Sequence, residues 1–381
     1  MGLGLRLALL IAVPNLSDDF YRFIWDGRLI GAGINPFAEL PVFYHENPAL
    51  APAGITRSLL ENLNSPEYFT IYPPVMQLVF WISTAFSDQE LVSIIIMRLV
   101  ILLAETGTMW LMIKILKLTR QNESTLAWYA FNPLVILELT GNLHFEGLMI
   151  FFLMLMIYSF QKQKLNRSAI SLGLAVLTKL NPLIFAPMLI RKLNTAKLSK
   201  YYLLLAVVAL LGFMPLISPD LIDGLSQSIG LYFQKFEFNA SIYYLVRYIG
   251  FQIKGYNIIA TAGKILSIAA FAGIMIYSLS NKCKYHHLPQ NMLWIYLIYL
   301  LLATIVHPWY VTPLMALMLF TPYRWPVLWS FSIFFTYINY QSGGYYENLW
   351  VVAIEYLTLG FYLLWEILNK KGGLDLKKIW Q

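Results

Sequence analysis

The sequence predicts an all-α, polytopic integral membrane protein, and three observations carry that reading. Of the 381 residues, 59% are hydrophobic and 12% are charged, against about a quarter charged in a typical soluble domain. Apolar runs able to cross a hydrocarbon core of about 30 Å recur from end to end, so no soluble domain of ordinary size fits between them and the chain reads as one membrane domain over residues 1–381. Basic residues fall in short clusters between those runs, where positive charge sets orientation. The net charge of +7 is thereby a matter of topology, and nucleic acid is excluded as a partner. The single cysteine, Cys283, has no partner for an internal disulfide.

The first run, Met1 to Pro14, is short, contains Arg6 and has no small-residue cleavage site after it, so it is expected to remain as a first membrane helix. A large external loop occupies 15–90. Within it, S-D-D-F-Y-R-F-I-W-D-G-R-L at 17–29 places Asp18, Asp19, Arg22 and Asp26 within one helical arc of about 100°, with Phe20, Phe23, Ile24 and Gly27 opposite. Ser17 is placed to cap the first turn and the aspartates suit the positive helix end. The expectation is an amphipathic helix at the outer interface, its apolar face toward lipid or protein.

Charge fixes the path of the remaining chain. Basic clusters at Lys114–Arg120, Lys162–Arg167, Arg191–Lys200, Lys282–Lys284, Arg324 and Lys370–Lys378, together with Arg6, hold 18 basic residues against Glu123 and Asp375; these belong on the cytoplasmic side. An odd number of crossings then separates loop 15–70 from the cluster at 114–120. Residues 71–86, opened by Tyr72, Pro73 and Pro74, span only about 24 Å as a helix and are expected along the outer surface, leaving 91–116 as the crossing. Arg98 and Glu105, seven residues apart on one face of it, read as a structural network turned into the bundle. Between two basic clusters, residues 168–190 carry Lys179, Asn181 and Pro182 at their middle. Parity favours two half-length helices meeting inside the bilayer, with Lys179 near the floor of a hydrated cavity; a single helix kinked at Pro182 is the alternative. Further spans are expected at 124–141, 145–161, 200–217, 256–280, 290–306, 308–322, 326–340 and 347–369, about eleven or twelve crossings in all, with a second large external loop at 218–254.

The motifs in these loops resemble the GT-C superfamily of membrane glycosyltransferases, which use polyprenol-linked sugars. The resemblance rests on S-D-D-F-Y-R-F-I-W-D-G-R-L, G-I-N-P-F at 33–37 and Y-P-P at 72–74 in the first external loop. It continues through N-P-L-V-I-L-E-L-T-G-N-L-H-F-E-G at 132–147, similar to the second acidic loop of bacterial mannosyltransferase-like members, and L-T-K-L-N-P-L at 177–183, similar to their embedded turn. F-E-F-N-A-S at 236–241 and H-P-W-Y at 307–310 complete the ordered set. It implies a GT-C-like bundle with interfacial helices in the first external loop, in the plasma (inner) membrane, with the active site extracytoplasmic.

The resemblance implies a single displacement with inversion, moving a hexose, by best match mannose, from a polyprenyl phosphate to a lipid-linked or cell-envelope glycan. The catalytic position is Asp19, with Asp18 adjacent: a sugar hydroxyl is a poor nucleophile until a carboxylate removes its proton. Substrate-binding residues expected on these motifs are Arg22, Asp26, Arg28, Tyr72, Asn142, His144, Glu146, Lys179, Glu237 and His307, with Arg22, Arg28, Lys179 and His307 the candidates to meet a leaving phosphate. Arg22 is also a candidate ion-pair partner for Asp19. His144 and Glu146 form an H-x-E pair, but a metal site needs three or four ligands and only Asp19 and Asp26 are further donors, so substrate hydrogen bonding is preferred and no cofactor is expected beyond the lipid-linked donor itself. Partners are then the donor, a glycan or glycolipid acceptor and membrane lipids. A transporter or flippase of lipid-linked saccharides is the rival reading. It would place polar groups at the midplane between repeats, whereas here they gather in external loops and no repeat is found.

Overall fold

The computed structural model describes residues 1–285, 287–341 and 344–370; Lys371, Lys377, Lys378 and Asp375 of the C-terminal cluster lie outside them. Apart from a two-residue antiparallel pairing of Tyr340–Gln341 with Gly344–Tyr345 and an isolated parallel bridge at Phe238, the regular elements among the described residues are helices. The first helix, α1 (Gly2–Leu7), is followed by α2 (Asp19–Gly31), then two short turns of helix, α3 (Pro41–Glu46) and α4 (Arg57–Glu61), and α5 (Pro74–Thr84). The long α6 (Glu90–Leu118) leads to α7 (Ala127–Ala130), α8 (Glu146–Gln161), α9 (Leu165–Thr178) and α10 (Thr195–Phe213). The remainder comprises α11 (Pro219–Gln234), α12 (Ile242–Lys254), α13 (Ile259–Leu279), α14 (Asn281–Tyr285), α15 (Leu288–Leu302), α16 (Thr312–Met318), α17 (Trp325–Ser332) and α18 (Leu349–Lys370).

Four stretches among the described residues are long and apolar enough to cross a membrane by length and composition: Glu90–Leu118, Thr195–Leu216, Ile259–Leu279 and Leu349–Asn369. A fifth is obtained if Val135–Gly141 and Glu146–Gln161, bent by 113° at their junction, count as one. Among the described residues the other expected spans are shorter or interrupted helices. The physical reasons are local. The run expected at 124–141 breaks at Asn132-Pro133, where proline offers no N–H and the Asn132 side chain instead accepts from Val135 N–H; beyond the break the chain winds as a π-helix over Val135–Gly141. Residues 308–322 open as a 3-10 turn, Pro308–Val311, before α16. The 218–254 loop is itself helical, as α11 and α12. The N-terminal run forms only α1, too short to span.

The chain divides into two compact units, the first comprising Met1–Thr108, Ile136–Pro182 and Tyr201–Leu231 and the second the intervening stretches and the remainder from Tyr232. In the first unit, α2 departs from the expected interfacial helix: both of its faces are buried. Phe20, Phe23, Ile24 and Trp25 are at most 2% exposed, each such burial contributing about 1.5–3 kcal/mol, and Arg22 and Asp26 on the polar face are buried as well. The apolar side packs on α5 so closely that a Cβ at Gly27 would lie 2.4 Å from the Phe80 carbonyl oxygen; only glycine fits. Phe23 stacks on Phe80 at 4.6 Å and meets Tyr72 edge-on at 5.0 Å.

The charges of α6 turn inward as expected. Arg98 donates to the carbonyls of Thr140, Leu10 and Gly141, tying the end of the π-helix and the N-terminal segment to α6. Glu105 pairs at 2.9 Å with Arg6, both fully buried. Arg6 is therefore a core residue and not, as the clustering suggests, an orienting surface charge; a carboxylate buried on α6 requires an internal partner.

In the second unit, two sequence motifs meet. Phe238 N–H donates to Thr304 O and Val306 N–H to Phe238 O, a parallel bridge that joins F-E-F-N-A-S to the segment leading into H-P-W-Y. A buried network holds the turn: Asn239 donates from its backbone to Glu347 and from its side chain to Glu355, which also receives the Trp329 indole N–H.

Candidate active site

Asp19 begins α2 and is half-buried. Its backbone N–H donates to Ser17 Oγ at 3.3 Å, but the N-cap of α2 is Asp18 and not Ser17, and it makes no side-chain cap bond. The carboxylate is held on both oxygens: Asn64 Nδ2 donates to Oδ1 at 2.9 Å and the Tyr72 hydroxyl to Oδ2 at 3.4 Å. Burial pushes the Asp19 carboxyl above the ordinary range, against the opposing pull of the Asn64 bond, the Lys179 charge and the Tyr72 bond. A carboxylate with a raised pKa is a stronger proton acceptor once ionised. Asp18 stays exposed beside it.

Tyr72 is placed by packing. Phe23 and Phe80 meet its ring edge-on and are themselves backed by Phe145, and the Pro73-Pro74 start of α5 fixes the chain at the next residue. The ammonium of Lys179 lies 5.6 Å from the centre of the ring, within cation–π range.

Lys179 sits at the break expected from Asn181 and Pro182. Helix α9 ends at Thr178, Lys179 is extended at φ −144° and ψ 140°, and the chain resumes as a 3-10 helix over Asn181–Arg191; the single kinked helix is not formed. The Lys179 side chain is 21% exposed and its Nζ lies 3.2 Å from Glu146 Oε1. Glu146, the first residue of α8, is 1% exposed.

The H-x-E pair separates. While Glu146 turns to Lys179, His144 Nε2 approaches Glu138 Oε2 at 3.5 Å, and Glu138 also receives the Asn142 amide at 3.2 Å. Leu143, just before His144, takes a positive φ of 62°, which turns the chain so that the histidine and the glutamate aim differently. Among the described residues no three His, Cys, Asp or Glu side chains converge as a metal site would require.

Arg22 pairs with Asp26 at 2.8 Å, not with Asp19. Asp26 also receives Thr70 at 2.5 Å and Gln77 at 2.9 Å, while Arg22 donates to Tyr68 O at 2.8 Å. Arg28 donates to the carbonyls of Gly54 and Asp88. These three thus hold the fold of the first loop. Of the expected site residues, Asp19, Tyr72, Lys179 and Glu146 come together directly, with His144 and Asn142 on Glu138 in the adjoining turn. Asn64, which no periodic pattern marks, is the site residue that sequence reading misses; Glu138, hidden inside an apolar run, is another. Glu237 and His307 belong to the second unit. There Glu237 accepts from Tyr243 at 2.5 Å and Asn257 at 3.1 Å and pairs with Arg247, and the His307 ring stacks on Trp309 at 4.4 Å and packs against Phe238 at 4.6 Å.

Residues 6–194, just under half of the chain, match the family model described as alpha-(1->6)-mannopyranosyltransferase, N-terminal domain. No curated protein matches the chain. The matched stretch contains the whole Asp19, Tyr72, Glu146 and Lys179 cluster. Together with the apolar membrane helices, that match makes the first half of the chain similar to the N-terminal domain of the alpha-(1->6)-mannopyranosyltransferases.

Proposed function

We propose that the protein transfers mannose, with inversion, from a polyprenyl phosphate donor to a hydroxyl of a lipid-linked or cell-envelope glycan on the extracytoplasmic side of the plasma membrane, with Asp19 as general base. The observation that carries this reading is the half-buried Asp19 carboxylate, oriented by Asn64 and Tyr72 with the Lys179 ammonium close by. The acceptor hydroxyl gives its proton to Asp19 as its oxygen bonds to the anomeric carbon. The anomeric C–O bond to phosphate breaks on the opposite face, and the electron pair leaves with the lipid phosphate. One carboxylate suffices for this displacement, whereas retention would require a carboxylate nucleophile as well. Lys179 supplies the fixed positive charge that meets the leaving phosphate. No metal is assigned a part, and the lipid-linked sugar enters as substrate.

The test is transfer by purified protein from synthetic polyprenyl phosphate mannose and, separately, from nucleotide-activated mannose, with the product's anomeric configuration read by NMR. Transfer from the lipid donor alone, with the configuration inverted, is expected. Transfer from the nucleotide donor alone, retention of configuration, or movement of lipid-linked saccharide across vesicles without glycosidic bond formation would overturn the proposal.

A further inference from the structure

The site contains one more charge than a base and a phosphate ligand need. Glu146 is 1% exposed, less than the half-buried Asp19 or the partly exposed Lys179, and is poorly placed to touch a sugar. Its carboxylate is fixed at the first turn of α8, where the helix end favours an anion, immediately after the sharp bend from the π-helix. Lys179, by contrast, stands in extended chain outside any helix, on a flexible four-carbon stem. What locates its ammonium is the 3.2 Å contact with Glu146 on one side and the Tyr72 ring on the other.

We infer that Glu146 is a positioning residue acting through Lys179: it anchors the ammonium beside Tyr72, within electrostatic reach of Asp19, and offsets part of the charge that Asp19 experiences. This rests on the assignment of Asp19 as base. Lys179 favours the ionised form of both Asp19 and Glu146, so its charge is shared between the two carboxyls. The other titratable groups facing Asp19 are Asp18 on α2 and Tyr72; His144 and Glu138 are paired with each other in the adjoining turn. Removing the Glu146 charge therefore eases ionisation of Asp19 by freeing the full charge of Lys179. Removing Lys179 does the reverse.

The experiment is the pH profile of kcat/KM for mannosyl transfer by the purified full chain. Glu146→Gln keeps an oxygen acceptor for Lys179 but no charge, and its acid limb is expected about half a pH unit or more below the parent's. Lys179→Met is expected to move the limb upward and to raise KM for the donor. Glu146→Ala, which loses the anchor, is expected to lower kcat, and combining it with Lys179→Met to cost no more than Lys179→Met alone. If Glu146→Gln does not fold, Glu146→Asp replaces it; the retained charge and shorter reach predict a reduced kcat with the acid limb near the parent's. A Glu146→Gln limb that superimposes on the parent's or moves upward, or additive losses in the double variant, would overturn the inference while leaving the base assignment intact. A parent enzyme whose acid limb survives Asp19→Asn unchanged would reject the base assignment and the inference together.

Discussion

Asn64 Nδ2 donates to Asp19 Oδ1 at 2.9 Å, joining two residues 45 positions apart in the first loop. The bond favours the ionised carboxylate and fixes its orientation, and a hydrogen bond to a charged group is worth about 1.5–3 kcal/mol. Asn64→Ala should lower kcat/KM by about 10- to 100-fold and move the acid limb to higher pH, because the bond that holds the Asp19 pKa down is lost. Asn64 is exposed, so the melting temperature should barely change. Steady-state kinetics with a thermal melt checks both statements.

Asp26 answers for stability. It is fully buried and gathers Arg22, Thr70 and Gln77, and removing one member of a buried ion pair strands the other at a cost of about 3–5 kcal/mol. Asp26→Ala should therefore lower the yield and melting temperature sharply. Were Asp26 chiefly a substrate ligand, the variant would instead stay folded with a raised KM.

Gly27 sets the approach of α2 to α5. A methyl there would meet the Phe80 backbone at 2.4 and 2.7 Å, and such overpacking costs about 1–3 kcal/mol. Gly27→Ala should reduce stability by that order. It should also reduce activity, since Phe80 carries the stack that seats Tyr72. Chemical denaturation in mild detergent, compared with turnover at low temperature, separates the two effects.

Orientation makes its own prediction. Loop 15–90 is expected outside and α6 is the first long apolar helix after it. A cysteine in place of Gln89, just before α6, should react with a membrane-impermeant thiol reagent added to intact cells. Reaction only after the cytoplasmic face is opened would reverse the topology.

Legibility in the sequence depends on whether a signal is local. The break at Lys179 is readable because Asn181-Pro182 interrupts an apolar run, and the inward turn of Arg98 and Glu105 follows from their seven-residue spacing. The Asp18 and Asp19 pair stands out for the same reason, as charges at a helix start. The burial of α2 is not readable: its periodic polar face suggests solvent, yet Thr70 and Gln77, which cover Asp26, arrive from 44 and 51 residues away. Spacing likewise suggests that His144 and Glu146 act together, whereas the positive φ at Leu143 and the competing partners Glu138 and Lys179 send them apart. Hydropathy hides the interruption at Asn132-Pro133, because the surrounding residues remain apolar enough to pass for one span.

The central claim, that Asp19 removes the acceptor proton, is tested most directly by comparing the parent with Asp19→Asn in mannosyl transfer from polyprenyl phosphate mannose across pH. The parent's activity should fall as pH drops through a limb lying above the ordinary carboxylate range, since burial raises the pKa of this group and only its ionised form accepts a proton. Asp19→Asn, which keeps the shape and still binds donor, should lose turnover by at least about 100-fold. Turnover within a few-fold of the parent, with the same acid limb, would contradict the account.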